Sequence, residues 1–174
     1  MPQHIVVVEY NPEWKQMYNK EASTITQILG TELVEIFHSG STSVTGLKAK
    51  PIIDIMAVMK DIDHVDRSNS EFKKIGYECM GEFGIPSKRY FRKGADNRTH
   101  QIHIFGESSK KDIERHLAVR DYLRTHDDVA KKYGELKSRL ALLFPDHIDG
   151  YNDGKDDFVK QMEQEALIWY RQKK

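Results

Sequence analysis

Apolar residues follow two patterns along the chain. Up to about residue 106 they form short runs broken by Gly, Pro and small polar residues, and from Lys110 onward they recur at helical spacing. In the first region Ile5–Val8, Leu33–Phe37 and Pro51–Val58 read as strands, followed by Tyr77–Met80, Lys88–Arg92 and His100–Phe105. Asn11-Pro12-Glu13 is a helix start: a capping Asn, a Pro at the first helical position and an acid near the positive helix end. Trp14, Met17, Tyr18, Ile25, Ile28 and Leu29 then keep helical spacing up to Gly30. Asp61–Ile75 reads as a second helix closed by Gly76.

In the second region Val129, Tyr133, Leu136, Leu140 and Leu143 form an apolar stripe that ends at Phe144-Pro145. Phe158, Met162, Ala166 and Trp169 mark a last helix, and the charged tail Arg171–Lys174 is expected to fray. The pattern predicts an α+β fold with an α/β-like N-terminal half, a mixed sheet followed by packed C-terminal helices. One domain is expected over residues 1–174, with 1–106 the sheet-bearing half and 107–174 the helical half.

Composition narrows the function classes. The 174 residues carry 27 Lys plus Arg against 27 Asp plus Glu, a neutral balance that argues against general nucleic-acid binding. The one cysteine, Cys79, fits a reducing compartment and reads as a small core residue at a strand end. Met1–Tyr10 lacks the basic start and apolar run of a signal peptide, and no stretch approaches the roughly 20 apolar residues of a membrane span. A cytoplasmic protein with no membrane partner is the expectation.

The chemistry gathers in His38-Ser-Gly-Ser-Thr-Ser-Val-Thr-Gly-Leu-Lys-Ala-Lys-Pro-Ile-Ile-Asp54. A strand delivers a Gly-Ser turn, and a second strand returns carrying a carboxylate. Small residues let backbone approach a ligand, and hydroxyls with free N–H groups hold phosphate oxygens. Ser39, Gly40, Ser41 and Thr42 are therefore candidate phosphate ligands, with Lys50 beside them. Asp54 interrupts an otherwise apolar strand, where an acid is costly unless it is paired or binds a metal.

A Gly-Ser turn followed by an Asp on a strand resembles the opening motif of DNA polymerase beta-like nucleotidyltransferases. The fuller pattern, His38-Ser-Gly-Ser-Thr-Ser-Val with Lys50-Pro-Ile-Ile-Asp-Ile, resembles the GrpB family, bacterial proteins placed within that fold. The similarity continues through Val8-Glu-Tyr-Asn-Pro-Glu-Trp14, Arg89-Tyr-Phe-Arg-Lys, Thr99-His-Gln-Ile-His103 and Arg120-Asp-Tyr-Leu-Arg124. It also includes Tyr133 with Lys137 and Tyr151 with Lys155. The resemblance implies a turn that holds nucleotide phosphates and acids that hold magnesium. The usual second acid, two residues after the first, is replaced here by Met56, and the position comparable to a third is His103. Two-metal chemistry needs several hard oxygen ligands, so a softer single metal suits one Asp with imidazoles better.

His100 and His103 point to opposite faces of a strand, and His103, between Ile102 and Ile104, is expected to share a cleft with Asp54. Asp54 and His103 are the candidate catalytic pair, and His38 with them the candidate metal ligands. The residues leave room for a divalent metal and do not specify which. Arg92, Arg120, Lys137 and Lys155 are candidate counter-charges, a basic wall facing the turn that suits an anionic, nucleotide-like partner. Three functions follow. The first is binding a nucleotide or other phosphorylated small molecule, with nucleotidyl or phosphoryl transfer. The second is a catalytically inactive ligand-sensing or interaction module. The third is a single-metal hydrolase or lyase.

Overall fold

The computed structural model describes residues 4–173, so Met1, Pro2 and Gln3 of the leader reading and Lys174 of the tail lie outside it. Strands β1 (Leu33–Ser39), β2 (Ile53–Met59), β3 (Tyr77–Cys79), β4 (Lys88–Lys93) and β5 (His100–Gly106) form one sheet in the order β1-β2-β5-β4-β3. The β2–β5 pair is parallel and the other pairs are antiparallel, so the sheet is mixed, as the run pattern predicts. Helix α1 (Glu13–Leu29) precedes the sheet, and α2 (Asn69–Lys74) connects β2 to β3. Helices α3 (Lys110–Thr125), α4 (Asp127–Leu143) and α5 (Ile148–Gln172) follow it. The architecture is α+β.

Strand periodicity sorts the two faces of the sheet. Ile53, Ile55, Ala57 and Met59 of β2 join Ile102 and Ile104 of β5 and Phe91 of β4 in the main core, closed by Trp14, Ile25 and Leu29 of α1 and Phe72 of α2. The alternate residues of β2, Asp54, Met56 and Val58, share the other face with Gln101, His103 and Phe105. Helix α3 covers part of that face, where the His116 ring centroid lies 5.7 Å from that of His103 and 5.5 Å from that of Phe105. The three C-terminal helices close on Val44 and Leu47, just beyond the Gly-Ser turn. The turn and Asp54 thus open toward the helical layer.

Four expectations change. Ile5–Val8 forms no strand: Val8 makes a single bridge to Ala49, and Ile5 donates its N–H to the Pro145 carbonyl at 2.7 Å. Ile5 instead packs with Leu140 and Tyr151, so the segment is held by helices rather than by the sheet. Asp61–Ile75 splits into a 3-10 turn, Ile62–Ser68, and the short α2. Ser68, Asn69 and Ser70 supply the break, since their side chains compete for backbone hydrogen bonds. On α4 the buried stripe is rotated: Leu143 is 64% exposed, whereas Lys137 is 3% exposed. The tail does not fray within the described residues, because α5 runs to Gln172 and Arg171 holds Glu114 at 2.8 Å. Cys79 closes β3 against the core, and no described helix is long and apolar enough to cross a membrane.

Trp14 is 2% exposed and meets Tyr10 edge-on at 5.5 Å, pinning α1 to the sheet. Trp14→Ala is expected to cost about 3–5 kcal/mol of stability, read as a lower urea midpoint with an unchanged slope.

Candidate functional site

The turn is built at the end of β1. Ser39 lies opposite Asp54 across the β1–β2 ladder, and Gly40 then takes φ +68°, a left-handed conformation that favours glycine. A methyl group on Gly40 would overlap the Asp54 carboxylate, so the absent side chain is what lets the two approach. Ser41–Ser43 form one 3-10 turn, with Ser43 N–H donating to Gly40 O and Val44 N–H to Ser41 O, both at 3.1 Å. The first N–H groups of such a turn have no partner within it and can receive an anion. Helix α3 braces the turn from outside: Arg124 Nε donates to Ser43 O at 3.0 Å, and Arg120 donates to His38 O at 3.4 Å.

Beside the turn is a cavity of about 260 Å³. Gly40, Ser41 and Thr42 form one wall, Asp54 and Gln101 the floor, and Lys50, Tyr133, Lys137, Tyr151 and Lys155 the opposite side. Lys137 Nζ donates to Ser41 Oγ at 2.8 Å and lies 4.3 Å from the Tyr133 ring centroid. Lys50 Nζ and Lys155 Nζ lie 5.2 and 5.1 Å from the Tyr151 ring centroid. Three ammonium groups therefore share this cavity with one carboxylate among its described lining residues. Burial, then repulsion from Lys155 and Lys50, holds the Lys137 ammonium well below the usual lysine range. Burial and then Lys50 bring Lys155 down to about 8, while burial lowers Lys50 and the Asp54 charge partly offsets it. Burial also pushes Tyr133 up to about 12, and the Tyr151 hydroxyl is buried with no hydrogen-bond partner.

Asp54 Oδ1 meets His103 Nε2 at 3.3 Å, so the sheet brings the expected pair together. His103 stacks on Tyr90 at 5.3 Å, and its Nδ1 is buried without a partner. The imidazole lies behind Asp54 and is absent from the cavity lining, which suits orienting the carboxylate. His38 goes elsewhere. It pairs with Ile55, so it faces α1, stacks on Tyr18 at 4.7 Å and shares a 2.9 Å hydrogen bond between Nε2 and Thr42 Oγ1. Burial, then Arg124, pushes it down to about 4. The His38–Asp54–His103 metal triad is therefore not formed, because strand alternation sends His38 through the sheet. Among the described residues no three His, Cys, Asp or Glu side chains gather to hold a metal ion. Met56 is fully buried where the second acid of a two-metal site would stand. One carboxylate facing three lysines does not fit a two-metal centre.

Arg92 shares the face of Asp54 but sits two strands away, where its Nε donates to Glu78 at 2.6 Å. It is a cross-strand ion pair, not a cavity residue. Arg120 lies outside the lysine cavity and lines an adjoining one of about 280 Å³ with Arg115, His116, Val119 and Glu163; Gly40, Ser41 and Tyr133 form the ridge between the two. Its Nε also donates to Asp121 at 2.9 Å. Ser39 is 1% exposed, and its hydroxyl lies under the turn with no partner. Sequence reasoning missed Lys88, whose ammonium lies 5.3 Å from the Tyr90 ring and feels the Asp54 charge. It also missed His116, which burial pushes down to about 4. The alternation Lys88, Tyr90, Arg92 was the available signal for Lys88; His116 carries none, because helix docking alone brings it to the sheet.

The sequence profile of the GrpB protein family matches residues 4–165. The UPF0157 protein YqkA of Bacillus subtilis is 40% identical over 165 residues, covering 95% of this chain and 48% of YqkA, so the chain spans about half the length of that relative. The glutamate-rich protein GrpB of Alkalihalophilus pseudofirmus is 32% identical over 163 residues, covering 91% of this chain and 93% of that protein. The crystal structure of conserved protein GrpB from Enterococcus faecalis superposes with a TM-score of 0.92 at 47% identity, covering 95% of this chain and 99% of the other. Cid1 in complex with its short product ApU is similar in fold, with a TM-score of 0.53 at 14% identity over 75% of this chain and 42% of Cid1.

Lysine burial has a pH signature. The folded-state value of Lys155, about 8, lies below its ordinary 10.5, so the folded chain binds fewer protons than the unfolded chain between those values. The resulting destabilisation is complete below pH 8 and fades as pH rises toward 10. Lys155→Met is expected to raise the melting temperature at pH 7, and the difference from wild type should shrink in melts taken stepwise up to pH 10.

Proposed function

The chain belongs to the GrpB family, and on that premise we propose that it binds a nucleotide or another phosphorylated small molecule at the Gly40–Thr42 turn. The observation that carries this reading is the shared cavity of Lys50, Lys137 and Lys155, with Asp54 as its one carboxylate. Buried charges are normally matched within the protein. Here three lysines, each made less basic by the cavity, face one carboxylate that also contacts His103, so the protein leaves them short of anionic partners that a bound phosphate would supply. Turn N–H groups, the Ser41 and Thr42 hydroxyls and the lysines supply donors of the kind phosphate oxygens need. The nucleotidyltransferase-like fold, seen in the likeness to Cid1, supports the same ligand class.

In this reading Lys137 and Lys155 hold the phosphate, Lys50 closes the site from the β2 side, and Asp54 keeps the lysine cluster tolerable when no ligand is bound. Arg120 steadies the turn rather than touching the ligand. Titration calorimetry with ATP, GTP, CTP and UTP is expected to show saturable binding for at least one. Lys137→Met should weaken it about tenfold or more, the scale of one charged hydrogen bond. Affinity should fall as pH rises through 8, because Lys155 must be protonated to hold an anion. Absence of binding by every compound would reject the reading.

Met56 favours a second reading, in which the chain senses its ligand without turning it over. Purified protein incubated with nucleotide and magnesium should then release neither diphosphate nor phosphate. Turnover that Asp54→Ala abolishes would establish transfer instead.

A further inference from the structure

We infer that this site takes its phosphorylated ligand as the metal-free anion, with the ammonium groups of Lys50, Lys137 and Lys155 supplying the positive charge that divalent ions supply in two-metal sites. The inference rests on the phosphate-binding reading and adds the ionic form of the ligand to it. Three observations carry it.

First, the donor set is wrong for a hard cation. Asp54 is the one acid on the cavity floor, its Oδ1 is 3.3 Å from His103 Nε2, and the next residue along the same strand face is the apolar, fully buried Met56. Magnesium requires near-octahedral oxygen coordination and keeps its waters. A single carboxylate already in contact with an imidazole offers little of that.

Second, the charges that face Asp54 are cations. Lys50, Lys137 and Lys155 line the same cavity, and Lys88 feels the Asp54 charge from β4. A divalent ion placed at Asp54 would sit among them and be repelled by each. The lysines already occupy the electrostatic role, from three different segments: the β2 approach, α4 and α5.

Third, the cluster is geometrically prepared for an anion. Lys137 Nζ is held on Ser41 Oγ at 2.8 Å, while the Nζ atoms of Lys50 and Lys155 both lie over the Tyr151 ring. These contacts fix the lysines at the rim of the 260 Å³ cavity, beside the turn hydroxyls. The sites of their ammonium groups are set before any ligand arrives, which lowers the ordering cost of binding.

The consequence is an inverted metal dependence. Magnesium complexed to a polyphosphate cancels two of its negative charges, so it removes the attraction that the lysines provide. The experiment is titration calorimetry of the full chain with ATP and with tripolyphosphate, each in EDTA and each in excess magnesium. Binding in EDTA that weakens severalfold when magnesium is added is the expected result. Lys137→Met and Lys155→Met should each lower the EDTA affinity about tenfold or more. Circular dichroism melts of both variants confirm that the loss is local. Binding that appears only with magnesium, or tightens with it, overturns the inference while leaving the phosphate-binding reading standing. Binding of neither probe in either condition, with GTP, CTP and UTP equally silent in EDTA and in magnesium, overturns both.

Discussion

A buried ammonium group loses several kcal/mol of hydration unless charge or hydrogen bonds replace the water, and this fold accepts that loss at Lys137, which is 3% exposed. Its Nζ keeps one hydrogen bond to Ser41, one aromatic face from Tyr133 and the more distant attraction of Asp54, against repulsion from Lys50 and Lys155. Other features of the site can be read as conditions on this arrangement. Gly40 must lack a side chain so that Asp54 can come up to the turn. Arg124 and Arg120 must tie the turn to α3 so that Ser41 stays in reach of α4. His103 contacts Asp54 Oδ1 at 3.3 Å from outside the cavity that the carboxylate lines with the lysines.

On the proposed reading a bound anion would relieve the mutual repulsion of these lysines. Natural proteins place destabilising charge where binding relieves it, and trade stability for function there. Two families of lysine neighbours show where relief is expected. Lys93 on β4 is also partly buried, but it pairs with Glu21 at 2.7 Å and needs nothing further. Among the described residues Lys50, Lys137 and Lys155 have no comparable partner apiece, and the one carboxylate lining their cavity is Asp54. The contrast within one chain separates a lysine paired within the fold from the lysines of the proposed ligand cavity.

Much of the sheet was legible from local pattern. The runs at 33–37, 51–58, 88–92 and 100–105 lie within a residue or two of the observed strands, because strands with one or two apolar faces carry their burial in the sequence. The alternation that puts His103 with Asp54 and His100 on the other face follows from the same period of two. Tertiary context overrode local pattern at Ile5–Val8, whose apolar residues serve a helix-lined cluster, and on α4, where the charged Lys137 takes a buried place and Leu143 an exposed one. Arg92 and Arg120 show the limit of charge reading: a guanidinium looks the same in sequence whether Glu78, Asp121 or a ligand neutralises it.

The sequence by itself determined the five strands of the sheet, though it offered Ile5–Val8 as a sixth, and it determined the Gly40 turn, the lone acid on β2 and the absence of a second acid at Met56, since each is a property of residue type at a position or of short-range period. It also carried the spacing of Tyr133 with Lys137 and Tyr151 with Lys155. Only the tertiary structure decided which charges meet. Lys50, Lys137 and Lys155 are brought from far apart in the chain by helix docking, and His38 is removed from Asp54 by strand facing. The physical reason is range. Backbone preference and periodicity act over a few residues, whereas electrostatic character depends on neighbours that packing supplies from anywhere in the chain.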